Sequence, residues 1–136
     1  MTDLQLSLGG IDDFLAYFGT ALVLLALFVA IYVRCTPHRE ITLIREGNIA
    51  ASLSLSGAIL GFVIPLASAI EHSVAWWDML LWGGVALVVQ VLAYVVVRLA
   101  VPTLAADIAA GRPAQGLFLG ALSVAVGILN AASITF

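Results

Sequence analysis

The chain has 136 residues, of which 63% are hydrophobic and 10% charged, with a mean hydropathy of +1.17. A soluble domain carries roughly a quarter charged residues, so these figures exclude one and point to a chain whose apolar surroundings are lipid. The formal net charge of −3 arises from eight acids and five basic residues, all arginine; it offers no basic surface for nucleic acid, and the bilayer is the expected partner.

The first basic residue is Arg34, so the positively charged opening of a cleavable signal peptide is missing. Residues 14–33 therefore read as the first membrane span. Further spans follow at 49–70, 79–101 and 114–135. Each reaches the roughly 20 apolar residues that a hydrocarbon core of about 30 Å requires. The expected fold is an all-α membrane protein, one domain over 1–136, with four transmembrane helices.

The second half repeats the first at an offset of 64 residues: Arg34 falls on Arg98, Ile44 on Ile108, Gly47 on Gly111, Ala50 on Ala114, Leu53 on Leu117, Ile64 on Ile128 and Ala67 on Ala131. Repeat one covers about 12–72 and repeat two about 76–136. Each copy holds two spans, an even number, so the copies are like-oriented, whereas inverted carrier repeats hold an odd number.

The links between paired spans carry every basic residue. Arg34, Arg39 and Arg45 bracket the first, and Arg98 and Arg112 the second. Asp3, Asp12, Asp13, Glu71 and Asp78 lie at the other end. The positive-inside rule places both links in the cytoplasm and both termini outside. The five arginines then anchor the inner interface, snorkelling to lipid phosphates. Tyr17, Trp76, Trp77 and Trp82 form an outer aromatic belt.

Each link predicts a short amphipathic interfacial helix. In the first, Thr36 is the expected cap, Pro37 the opening residue, Ile41, Leu43 and Ile44 the apolar side and Gly47 the left-handed stop. In the second, Gly111 is the stop and Pro113 opens the last span. The lone Cys35 excludes an internal disulfide and reads as a packing residue.

The second span of each repeat bears a stripe of small residues. Ala50, Ser54, Gly57, Gly61, Pro65 and Ser68 fall within about 80° of one another at 100° per residue. Gly116, Gly120, Ser123, Gly127 and Asn130 span a similar arc. Gly57–Gly61 and Gly116–Gly120 are GxxxG pairs, whose small residues let helix backbones approach in lipid. Pro65 predicts a kink.

Gln90 and Asn130 are the strongly polar uncharged groups at depth, either bonding between helices or lining a polar path, and Asn48 joins them as a candidate polar contact. Asp13 and Asp78 read as matching acids at the starts of the first and third spans, favouring the helix dipole. His38 and His72 fall on opposite sides and cannot share a metal. No metal, cofactor, phosphate-loop or nucleophile–base pattern is present, and no catalytic residue is expected.

The run from Glu46 to Leu53 with Gly-Asn-Ile-Ala-Ala, the run Gly61-Phe62-Val63-Ile64-Pro65-Leu66, and the closing Val126-Gly127-Ile128-Leu129-Asn130-Ala131-Ala132 together carry a resemblance. With Asp78, Leu81-Trp82 and Gln90, they resemble the domain-of-unknown-function 350 family of bacterial inner-membrane proteins (the YjfL-like proteins). The resemblance implies a bacterial inner-membrane location and no assigned activity. The second copy lacks the Gly-Asn and Pro-Leu signatures, so any role of Asn48 or Pro65 belongs to the first.

The leading expectation is a non-enzymatic scaffold or envelope-maintenance factor. It would assemble through the glycine stripes as a homo-oligomer or with another membrane protein. The rival is a small homo-oligomeric channel or transporter whose path is lined by Gln90, Asn130, Ser52, Ser54 and Ser56.

Overall fold

The computed structural model describes residues 2–37 and 39–134; His38 and the expected end of the last span at Thr135 lie outside them. The described residues form six helices: α1 (Asp3–Cys35), α2 (Glu40–Arg45), α3 (Ile49–His72), α4 (Trp76–Ala100), α5 (Leu104–Ala109) and α6 (Pro113–Ser133). Of these, α1, α3, α4 and α6 are long and apolar enough to cross a membrane.

The first helix starts earlier than expected. Thr2 and Gln5 close a capping box, each side chain bonding the other's main-chain N–H at 3.3 and 3.0 Å. The helix then runs unbroken through Gly9, Gly10, Asp12 and Asp13. Its 33 residues extend about 50 Å at 1.5 Å per residue, against a hydrocarbon core of about 30 Å. Asp13 therefore lies about three turns inside α1, and the expected match with Asp78 fails. Asp78 does cap α4, its Oδ2 accepting from the N–H groups of Val74 and Ala75 at 2.9 and 3.1 Å.

The first link also departs from its expected reading. Thr36 closes α1, its N–H donating to the Tyr32 carbonyl at 3.0 Å and its hydroxyl to Val33 at 3.3 Å. Neither Thr36 nor Pro37 opens α2; that helix begins after Arg39, whose left-handed φ of 36° turns the chain inward. The stops are as expected, Gly47 at φ 84° and Gly111 at φ 80°, where a side chain would be strained. Both link helices have six residues, and their starts at Glu40 and Leu104 stand 64 positions apart. Pro113 opens α6.

Helix α3 is the centre of the bundle. In its most apolar stretch 56% of residues are buried, against 6% in α1, so α3 is enclosed by protein while α1 stands at the edge. The pairs Ala50–Gly116, Gly57–Gly120, Gly61–Gly127 and Ser68–Ala131 ascend together, so α3 and α6 run parallel. Phe28 of α1 stacks on Phe62 of α3, centroids 4.5 Å apart, and Trp76 of α4 donates its indole N–H to the Thr20 hydroxyl at 3.0 Å. At the outer-belt end α1 separates from α3, leaving an open cleft of about 490 Å³ lined by Asp13, Phe14, Tyr17, Ile70 and Ser73.

Candidate functional site

The α3–α6 seam consumes the glycine stripes within one chain. A Cβ on Gly57 would collide with the Gly120 main chain, one on Gly116 with the Ala50 carbonyl, and one on Gly127 with the Gly61 carbonyl. Gly120 in turn sits against the Leu53 carbonyl. The sequence leaves open whether these stripes join helices of one chain or of two protomers; here they meet within the chain, because backbone-to-backbone dispersion contact is the attraction that lipid leaves available to helices. Pro65 lies buried inside α3, which continues unbroken past it to His72. Having no N–H, it leaves the Gly61 carbonyl without its usual helical donor, and Gly127 packs against that oxygen.

Gln90 is fully buried, its amide seated in the notch that Gly61 leaves in α3. Its Nε2 donates to the Ser123 carbonyl at 2.9 Å, tying α4 to α6. Its Oε1 is buried with no hydrogen-bond partner among the described residues. One turn along the same buried face of α4 stands Tyr94. The Tyr94 ring meets Tyr32 of α1 edge to face at 5.6 Å. Tyr32 is fully buried, and its hydroxyl likewise has no hydrogen-bond partner among the described residues.

Glu40, although it opens a link helix, has a relative exposure of 0%. Tyr32, Tyr94 and Gln90 are likewise buried.

Sequence reasoning missed Glu40, Tyr32 and Tyr94. The available signal was Gln90, Tyr94 and Arg98 at four-residue spacing along one face of an otherwise apolar helix, which marks a buried polar stripe. Nothing local in the first link reports that α2 folds back so that Glu40 is buried.

The other predicted residues are placed differently. Asn48 lies at the link end, where its Oδ1 caps α3 by accepting from the Ala51 N–H at 2.9 Å. Its Nδ2 donates to the Ile108 carbonyl at 2.9 Å, joining α3 to the end of α5. Asn130 is half-buried in a shallow cleft with Val89, Val126, Leu129 and Ser133, its Nδ2 unbonded among the described residues. The serines do not converge with Gln90 on one path. Ser54 is buried and bonds the Ala51 carbonyl at 3.1 Å, Ser52 is half-buried, and Ser56 faces outward. Arg34, Arg39, Arg45, Arg98 and Arg112 are all exposed at the same end of the bundle, Arg112 pairing with Asp107 at 3.3 Å.

Comparison with known proteins agrees with a membrane assignment. The family model described as Domain of Unknown Function (DUF350) matches residues 5–134. The UPF0719 inner membrane protein YjfL of Escherichia coli (strain K12) is 45% identical over 123 residues, covering 90% of this chain and 93% of that protein. The UPF0719 transmembrane protein YshE of Bacillus subtilis (strain 168) is 27% identical over 125 residues, covering 88% and 90%. No solved structure matches.

Proposed function

For this chain, which belongs to the Domain of Unknown Function (DUF350) family, we propose the role of a non-enzymatic scaffold or envelope-maintenance protein of the bacterial inner membrane, assembled as a homo-oligomer. One observation carries the reading: α1 has an exposed stripe that none of the described residues covers. Leu4, Leu8, Ile11, Leu15, Phe18 and Leu22 alternate four and three residues apart, and all are half or more exposed. That spacing is the seam of a left-handed helix pair. Its first turns project beyond the length needed to cross lipid, where exposed leucines favour a helical partner. A second copy supplies the same stripe. Another membrane protein is the alternative occupant.

The same reading takes the two halves as like-oriented tandem repeats with both termini periplasmic. The 64-residue spacing of α2 and α5 and the gathering of all five arginines at one end support it.

The test is the mass of the purified protein in mild detergent, for wild type and for Leu8→Glu combined with Ile11→Glu. An oligomer that falls to monomer in the double variant is the expected result. A monomeric wild type, or an oligomer indifferent to both charges, overturns it.

A second reading, a passive channel or transporter, is favoured by the buried Gln90 Oε1 and Asn130 Nδ2, which have no hydrogen-bond partner among the described residues. Flux through protein in liposomes that is lost in Gln90→Leu and Asn130→Leu supports it. Absent or unaffected flux removes it.

A further inference from the structure

The cleft between α1 and α3 at the aromatic-belt end continues below its mouth. The mouth, about 490 Å³, and a second hollow of about 230 Å³ share Phe18 and Ile70 in their walls, so they form one groove. Its charged and hydroxyl-bearing side chains, Asp13, Tyr17 and Ser73, all line the mouth. Every side chain lining the lower hollow is apolar, down to Leu25 of α1 and Val63 of α3. From Asp13 to Leu25 is about 18 Å along the helix, close to the hydrocarbon depth of one leaflet, about 15 Å. Asp13 also stands about 32 Å from Arg34 along α1, against a hydrocarbon core of about 30 Å. That puts its carboxylate at the level of lipid headgroups, above a slot of acyl-chain length.

The chemistry of the mouth selects the headgroup. Asp13 has no ion-pair or hydrogen-bond partner among the described residues, and all five arginines lie at the other end of the bundle. Ser73 is the C-cap of α3, so the carbonyl end of that helix dipole, which favours cations, lies at the mouth. The Ser73 hydroxyl gives its proton to the Ile70 carbonyl at 3.1 Å, leaving its oxygen as an acceptor. Phe14, Tyr17 and Phe18 add aromatic rings, whose faces attract ammonium groups.

We propose that this groove is a lipid-binding site whose occupant is a phospholipid with a primary ammonium headgroup. The ammonium donates to the Asp13 carboxylate and the Ser73 hydroxyl oxygen, and one acyl chain lies between α1 and α3. An anionic headgroup meets the Asp13 charge and the helix dipole with the wrong sign. The groove and the leucine stripe of α1 occupy different faces, centred roughly 100° apart around the helix and meeting at Phe18. The site therefore stands whether the chain is a monomer or an oligomer.

The experiment is native mass spectrometry of the full chain extracted from vesicles of equal parts phosphatidylethanolamine and phosphatidylglycerol, counting retained lipid per chain. The expected result is a preference for phosphatidylethanolamine of roughly threefold, the size that a partly exposed ion pair supports. Asp13→Asn should bring the ratio close to one. Asp12→Asn, the same charge change at a residue outside the groove walls, should leave it as in wild type. Ala67→Phe, at an exposed position in the lower hollow, should reduce the total lipid retained. Equal retention of the two lipids by wild type, a preference that survives Asp13→Asn or is lost equally in Asp12→Asn, or retention unmoved by Ala67→Phe overturns the proposal.

Discussion

Gly57 of α3 and Gly120 of α6 meet main chain to main chain: a Cβ built on Gly57 would overlap the Gly120 Cα and carbonyl. Neither neighbour is a flexible side chain tip that could move aside. A larger residue must push the two central helices apart, and that loss falls on the fold of the single chain before it reaches any assembly.

Gly57→Leu and Gly120→Leu should each therefore destabilise the protomer by about 3 kcal/mol or more, the upper end of overpacking costs. Gly84→Ala, where a Cβ meets nothing within 4 Å, should leave stability unchanged or raised by up to about 1 kcal/mol through helix propensity. Unfolding followed by tryptophan fluorescence in mixed micelles distinguishes them. Equal stabilities for Gly57→Leu and Gly84→Ala would contradict the seam.

Asn48 does two jobs with one side chain, capping α3 through Ala51 and linking to the α5 terminus through the Ile108 and Ala109 carbonyls. Asn48→Ala should cost about 1–2 kcal/mol through loss of the cap and the link together. Asn48→Asp keeps the acceptor for Ala51 but loses the donor to Ile108 and sets a charge against carbonyls. It should restore little of the loss. The two variants compared in the same unfolding assay test whether the Ile108 bond matters beyond capping.

At Gln90, replacement by Leu removes the bond to Ser123 and the orphaned Oε1 at once. Interhelical bonds in membranes average about 0.6 kcal/mol, so Gln90→Leu should be nearly neutral in stability. Gln90→Ala empties the notch opposite Gly61 and should cost about 2 kcal/mol or more. Similar losses for both would show that the bond, rather than the packing, holds α4 in place.

Topology is testable with single cysteines in a Cys35→Ala background, because the native thiol is exposed. Cysteines replacing Arg39 and Arg112 should react with a membrane-impermeant maleimide from the cytoplasmic side. One replacing Trp77 should react from the other. Labelling of Arg39→Cys and Arg112→Cys on different sides would break the like-oriented reading.

The spans were readable because lipid imposes a length and a hydropathy that few sequences satisfy by accident. Their ends were less so. The start of α1 depended on the Thr2–Gln5 capping box and on leucine spacing that carries the helix past two glycines and two aspartates. The acid at position 13 looked like a helix start because acids prefer that position, yet the same residue is tolerated on an exposed helix face.

By itself, the sequence determined that the chain is a four-span helical membrane protein with two glycine-stopped link helices and its arginines in those links. Composition, period and backbone preference act over short stretches and do not wait for the rest of the molecule. Only tertiary structure decided that the two glycine stripes spend themselves on each other, that α1 stands at the edge, and that Glu40 is buried. These depend on which helix faces are brought together across some 60 residues of chain, and small or polar residues on one helix do not specify what will lie opposite them.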